Sequence, residues 1–439
     1  MIEESFEYGI IGMGPAGIGA ATVLTDHGLA PNTICFEQGQ KDLNDSCVCD
    51  DYGKCCGRKT CMVISGVGGA SNYSSGKISD YPAGSGLVKY FGSNNELVAA
   101  LNRVISRLGK SISLNKKCIP KEIIEQARTR FESQGLEYKY YDVYEFQGSE
   151  YQAFITETIL QMEHQGLTIR QNAKVIAIDK DSCSDYYLVK YRSNDQEKSV
   201  MVHKLVIATG ALSVHDQIVS KIEREEESSY EIGVRVEAPS KDFGDILASH
   251  GDLKLKDANG RTYCVTEKGT VITYRSEDYL FLEGCKPLDH QTSFTNLAVL
   301  VKRSISREFD DFLYNYKALF NGIPIKQRYS DYLKGIVNFN TLDTTCSAAQ
   351  VGDINRLFPQ SVNAEIKQFL EKMVDAFELP TGNLTIIAPE LKLLRAVETT
   401  KDFEVERNVF VIGAATGKFR GILQSLCSGI RCGEIVSGR

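Results

Sequence analysis

A short apolar strand that breaks into three glycines at fixed spacing restricts this chain more than any other feature. In "FEYGIIGMGPAGIGAATVLTDHGLAPNTICFEQG" the strand pattern Tyr8 to Ile11 runs into Gly12, Gly14 and Gly17, the GxGxxG spacing. Gly12 suits a tight turn, Gly14 lets backbone approach a pyrophosphate, and Gly17 permits close helix-on-strand packing. Pro15 and Ala16 open "AGIGAATVL", read as a helix whose N-terminal amides and dipole face phosphate. A second strand, "TICFE", ends at Glu37, placed to accept hydrogen bonds from a ribose diol. Strand, glycines, helix, strand and terminal acid in register predict a dinucleotide-binding α/β unit.

Two later segments choose between dinucleotides. "KLVIATGALS" (204–213) is an apolar strand ending in Ala208, Thr209 and Gly210, the ATG signature of two-dinucleotide-binding flavoproteins. "NVFVIGAATGKFRGILQSLCSGIRCGEIV" (408–436) is another buried strand entering a glycine-rich turn and a helix, the element that in such flavoproteins closes over the flavin. Segments at the start, middle and end of the chain predict one discontinuous, Rossmann-like FAD domain built from 1–118, 165–215 and 385–439. A β-rich α+β substrate domain is expected over 230–384, and a helical and strand insertion over 119–164. By flavoprotein analogy, backbone near Val175 holds the adenine.

These residues, with "SGVGGASNYSSGKISD", "EIGVRVEAP", "IKQRYSDYLKG", "NLTIIAPELK" and "GKFRGILQSLCSGI", resemble a family of bacterial and archaeal FAD-dependent dehydrogenases. That family carries a GxGGAGxxSDGK loop, a GVRxE strand, a PE segment and a C-terminal GDxxGxxRGIxQA element, and one branch has a cysteine-rich stretch directly before the loop. The resemblance covers almost the whole chain and implies the two-domain architecture above; it implies little about substrate. Two departures stand out: the loop's third Gly and its Asp are Ser71 and Ser75, and the terminal GD is Gly413 and Ala414. Loss of one charged hydrogen bond at Ala414 is worth about 1.5 to 3 kcal/mol of FAD affinity.

In the loop, Gly69, Ala70 and Ser71 are candidate cofactor contacts, while Tyr73 and Lys77 offer a phenol and an ammonium to a substrate. At the C-terminal turn, amides at Gly421 and Ile422 are placed to stabilise negative charge on reduced flavin, and Arg420, the family's RGI arginine, adds a positive charge. Flavin carries the electron chemistry, so no catalytic triad is required.

Five of the thirteen cysteines, Cys47, Cys49, Cys55, Cys56 and Cys61, fall within fifteen positions as C-x-C-x5-C-C-x4-C. Three readings stand side by side: a structural zinc site, redox thiols with a pKa lowered by Lys54, Arg58 and Lys59, and a local clip or unpaired thiols. Net charge −7 and the absence of a basic stripe argue against nucleic acid. No run of about 18 apolar residues or secretory signal is present, which points to a cytoplasmic protein without membrane partners. The acidic run "EREEESSYE" (223–231) reads as a solvated connection.

The leading functional expectation is an FAD-dependent oxidoreductase moving hydride between flavin and a small organic substrate. No second GxGxxG follows a strand, so no nicotinamide domain of the disulfide-reductase type is expected. A flavin monooxygenase is the second reading, although the mid-chain Asp-Gly of aromatic hydroxylases is missing. A non-catalytic cofactor- or metal-binding partner is the third.

Overall fold

The computed structural model describes residues 4–40, 55, 60–211, 228–244, 252–286, 291–340, 342–394 and 396–438. The first sheet has five parallel strands in the order Thr168–Arg170, Thr33–Phe36, Ser5–Ile11, Gln196–Ile207 and Val409–Val411. Ser5–Ile11 lies at its centre, with Ile10 opposite Cys35 on one side and Val206 on the other. Both faces are covered, which is why these strands read as continuous apolar runs rather than alternating ones. On one face lie the helices Pro15–Asp26, Asn94–Leu108, Gly148–His164 and Ile422–Ser437, sharing a core with Ile10, Val206 and Ile412.

An antiparallel meander, Lys174–Lys180, Tyr187–Ser193 and Gln196–Ile207, closes the other face, where Val189 and Tyr191 pack with Ile34 and Phe36. Its second turn uses Asn194 and Asp195, both at positive φ, as a two-residue hairpin of type I′ requires. The strand order and the helix following the first strand make this a Rossmann-like α/β domain.

The second sheet has eight strands: Gln350–Val351, Ile325–Arg328, Thr385–Leu394, Ser229–Pro239, Phe294–Ser304, Gly260–Thr266, Lys254–Lys256 and Glu137–Lys139, in that order. Its pairings are antiparallel except the first. The helix Gln360–Phe377 packs on it through Phe369 and Met373, and Gly260 leaves room for the Phe369 ring.

Three boundaries differ from the sequence expectation. Thr385–Leu394 belongs to the second sheet, between Ile325–Arg328 and Ser229–Pro239, and not to the dinucleotide domain; an apolar strand close in sequence to 408–436 does not reveal which sheet it joins. Residues 119–164 form no separate insertion: Glu137–Lys139 edges the second sheet, whereas Gly148–His164 buries Tyr151, Ile155, Ile159 and Met162 in the first domain. The end of the acidic run is a strand, in which buried Glu231 pairs with Arg261 at 2.5 Å; 223–227 lie outside the described residues.

Candidate functional site

The glycine turn divides its three glycines by what surrounds them. A Cβ on Gly12, at φ +95°, would lie 2.6 Å from the Ala208 carbonyl oxygen, and one on Gly17 would lie 1.9 Å from that of Gly12. A Cβ on Gly14 would meet nothing within 4 Å. Gly12 and Gly17 are therefore required by packing, and Gly14 leaves open space at a helix N-terminus, where amides and dipole favour an anion. Pro15 takes the first helical position, where no amide hydrogen is needed, and Ala16 is buried.

Glu37 is tied into the main chain. Its carboxylate is buried and accepts hydrogen bonds from the amides of Met13, Gly39 and Gly66, each at 2.9 Å. Burial raises its pKa, against the pull of those amides. Most of its acceptor capacity is thus spent on the turn, so its first role is to hold the glycine turn and the 39 and 66 segments together. A ribose diol would share it with those amides. Ala173 N–H donates to the Glu37 carbonyl at 2.9 Å, which places the strand containing Val175 beside this acid; Val175 itself pairs with Tyr191.

The loop after the cysteines folds back onto the turn. Gly68 N–H donates to the Met13 carbonyl at 2.8 Å, and a Cβ on Gly69 would sit 3.4 Å from the Gly14 Cα. Ala70 is exposed. Ser71 Oγ donates to the Gly68 carbonyl at 2.6 Å and accepts from the Tyr151 hydroxyl at 3.0 Å. Tyr73 is buried in the second domain's core, so it acts as packing across the joint and is not presented to a substrate. Lys77 points the same way: its Nζ lies 3.2 Å from Asp252 Oδ1 and donates to the Val265 carbonyl. Asp252 also holds Lys254 at 2.7 Å. Burial alone would raise the Asp252 pKa, but the ammonium groups of Lys254 and Lys77 hold it below the usual carboxylate range.

Just beyond the end of the strand Gln196–Ile207, Thr209 Oγ1 is buried without a hydrogen-bond partner among the described residues, and a Cβ on Gly210 would meet nothing within 4 Å. A buried hydroxyl left unpaired is costly, and here it borders the open side of the turn: Thr209 Cα is 3.2 Å from where a Gly12 Cβ would be. The C-terminal helix meets the first helix backbone to backbone. A Cβ on Gly429 would lie 2.0 Å from the Ala16 carbonyl oxygen, and one on Gly413 would lie 2.7 Å from Ala16 Cβ. Gln424, in the helix's first turn, donates to the carbonyls of Ser79 and Ala83 at 3.1 Å each. Gly421 caps that helix and Ile422 begins it. Arg420, half-buried, reaches over to the second sheet and donates to the Leu393 carbonyl. The site thus gathers Gly14, Gly69, Thr209, Gly210 and Gly413 around Ala16 and the turn, and sends Tyr73, Lys77 and Arg420 toward the second domain.

Sequence reasoning did not assign the charge network that faces these three. Arg235, fully buried, forms a two-point pair with Glu390 at 2.6 and 2.9 Å and donates to Asn296 Oδ1 at 2.7 Å. Lys392 donates to Glu283 and lies 3.3 Å from Glu390. The signal was present as charges inside otherwise apolar strands, "GVRVEAP" and "PELK", since such groups are buried only when paired.

Of the clustered cysteines, Cys47, Cys49 and Cys56 lie outside the described residues. Arg275 contacts the other two: its amide donates to Cys61 Sγ at 3.2 Å and its Nη2 to Cys55 Sγ at 3.4 Å. Among the described residues no group of three or more His, Cys, Asp or Glu is placed to hold a metal ion, so nothing described supports zinc. No helix among them is long and apolar enough to cross a membrane.

No protein-family model matches the chain, and no curated protein matches it. Among solved structures, the chain is similar to a dithionite-reduced L-α-glycerophosphate oxidase from Mycoplasma pneumoniae with FAD bound, at 11% identity over 99% of this chain and 95% of that one, with a TM-score of 0.44. It is similar to a flavoprotein/dehydrogenase from Cytophaga hutchinsonii at 10% identity, covering 99% and 80% of the two chains, TM-score 0.41. It is also similar to CmlS, a flavin-dependent halogenase, at 12% identity over 99% of this chain, TM-score 0.42, and spans 58% of that protein's length.

Proposed function

We propose that the chain is an FAD-dependent oxidoreductase moving hydride between flavin and a small organic substrate, in line with the dehydrogenase family its motifs resemble. The observation that carries this reading is the combination of open space over Gly14 and Gly210 with the Thr209 hydroxyl, unpartnered among the described residues, just beyond the C-terminal end of an inner parallel strand. The helix start at Gly14, Pro15 and Ala16 would hold the pyrophosphate, the backbone around Glu37 and Val175 the adenosine end, and Gly69 to Ser71 with Gly413, Gly421 and Ile422 the remainder of the cofactor. Bound FAD supplies the hydride chemistry. The protein's own part is to bind, orient and keep water out: the buried Arg235–Glu390 pair sets the sheet that faces the site, and Lys77 on Asp252 fixes the loop against it.

The test is an absorbance spectrum of protein purified without air, with nucleotide released by denaturation and metal measured on the same sample. The chain has no tryptophan, so a flavin band stands clear of a modest protein background. About one FAD per chain, bleached by a reductant and restored by air, is the expected result. Protein without flavin that takes up none on addition of FAD overturns the proposal.

A further inference from the structure

We propose that the groove between the helices Asn94–Leu108 and Gly148–His164 is a docking site for an acidic amphipathic helix of a partner protein. The groove follows from the close packing of the two helices beneath it. Small residues line the facing sides of Pro15–Asp26 and Ile422–Ser437: a Cβ on Gly19 would lie 2.6 Å from the Leu426 carbonyl oxygen, and one on Gly433 would lie 2.8 Å from Val23 Cβ. With no bulky side chains between them, the pair forms a low floor from Ile18, Thr22, Leu426 and Ile430, and the two flanking helices stand beside it as walls. The groove so enclosed has a volume of about 720 Å³.

One wall is cationic. Arg103, Arg107 and Lys110 line it at spacings of four and three residues, which puts them on one side of the helix and the turn that ends it. Glu157, on the other wall, is the one acid among the described lining residues, in a chain whose net charge is −7. Arg107 lies 3.1 Å from Asp26, but both are exposed and such a pair is worth little. Arg103 and Lys110, also exposed, have no carboxylate within ion-pair distance among the described residues. Cations repeated over about 10 Å of helix match acids at i, i+4 and i+7 on a helix laid alongside, as the charges flanking a coiled-coil seam do. A single phosphate or carboxylate cannot span them. Phe154 on the second wall and Ile430 on the floor are half-buried, which leaves apolar surface for the incoming helix to cover. Size agrees with this occupant: a helix sunk to half its diameter along the roughly 16 Å from Ala99 to Lys110 displaces about 600 to 900 Å³, which brackets the groove's volume.

The experiment is a fluorescence-anisotropy titration with the full chain, with FAD content and melting temperature recorded for every sample. The probe is a fluorescein-labelled helical peptide of four turns, leucines on one face and glutamates on the other, run beside a version with lysine in place of every glutamate and a scrambled version of the same composition. The expected result is saturable binding of the glutamate peptide, at least tenfold tighter than either control and weakening as salt is raised. Arg103→Glu combined with Lys110→Glu should lower that affinity at least tenfold and turn the preference to the lysine peptide. Ser106→Trp, at an exposed position on the cationic wall, should block the groove and abolish binding of all three peptides; if it lowers the melting temperature, the charge reversal decides alone. No binding of the glutamate peptide at millimolar concentration, equal binding of the three peptides, or binding that a normally melting Ser106→Trp leaves unchanged overturns the proposal. Binding of dodecanoate but not of the peptide, or self-association of the chain that Ser106→Trp abolishes, overturns it in favour of an acyl chain or a second copy as the occupant. The groove shares no residue with the proposed cofactor contacts, so the titration is read in the same way whether or not the protein carries FAD.

Discussion

Single residues in the glycine turn have separable jobs. Gly17→Ala would drive a methyl group to 1.9 Å from the Gly12 carbonyl oxygen, which is backbone and cannot rotate away. Gly14→Ala meets no protein atom within 4 Å and keeps an ordinary φ of −71°. We expect Gly17→Ala to lower the melting temperature of the FAD-free protein, with a loss of about 1 to 3 kcal/mol as for overpacked cores. Gly14→Ala should melt like wild type yet bind FAD at least tenfold more weakly, because its methyl group enters only the ligand's space. Calorimetric melting and FAD titration of both variants check this, and a Gly14→Ala protein with unchanged FAD affinity would remove the turn from the cofactor site. Spacing alone identified the three positions, but not this division. Nor did spacing show that Glu37 spends its carboxylate on Met13, Gly39 and Gly66, because those amides converge only after the 66 segment folds back, and no local pattern records that.

At the scale of elements, the loop Gly69–Tyr73 and the strand Lys77–Ser79 join the domains through one charged triad, in which Lys77 and Asp252 are buried and Lys254 is partly buried. Neutralising Asp252 removes the counter-charge that both ammonium groups share; breaking a fully buried pair costs about 3 to 5 kcal/mol, and the partial exposure of Lys254 and the carbonyl bond of Lys77 reduce that here. Asp252→Asn should therefore be markedly less stable than wild type at pH 7. The Asp252 carboxyl is held below its ordinary value in the folded chain. Its stabilising contribution is consequently complete above the unfolded carboxylate pKa of about 3.9 and is lost as pH falls through the lower folded value. Urea midpoints of wild type and Asp252→Asn should converge as pH is lowered from about 6 toward 3. A gap independent of pH would mean that packing, not charge, sets the difference. The sequence pattern located Lys77 correctly in a glycine-rich loop, but the partner lies 175 residues further on, and only the chain's return through the second sheet brings it there.

For the whole molecule, the chain's repeated passage between two cores decides how it should unfold. Residues 5 to 36 build the first core, and Val63 and Tyr73 enter the second. Ile78 to Ile112 return to the first, Ala127 to Tyr138 belong to the second, and Tyr151 to Val206 go back again. The second core then takes Tyr230 to Leu393, and Phe403 to Val436 complete the first. Apolar runs made the strands of the first sheet legible as strands, and they could not show to which core a run such as Thr385–Leu394 is assigned, since burial on both faces looks alike in either sheet. Such interleaving ties the cores at several points, including Arg420 on Leu393 and Lys77 on Asp252. Two domains linked by one flexible connection commonly melt separately. Here neither core can open without pulling segments out of the other. The expected result for the FAD-free protein is a single calorimetric transition whose van't Hoff and calorimetric enthalpies agree, with circular dichroism and tyrosine fluorescence coincident with it. Two resolved transitions would show that the cores are energetically independent despite the shared path of the chain, and Asp252→Asn should then separate them further, because it removes a link between the cores and leaves both sheets intact.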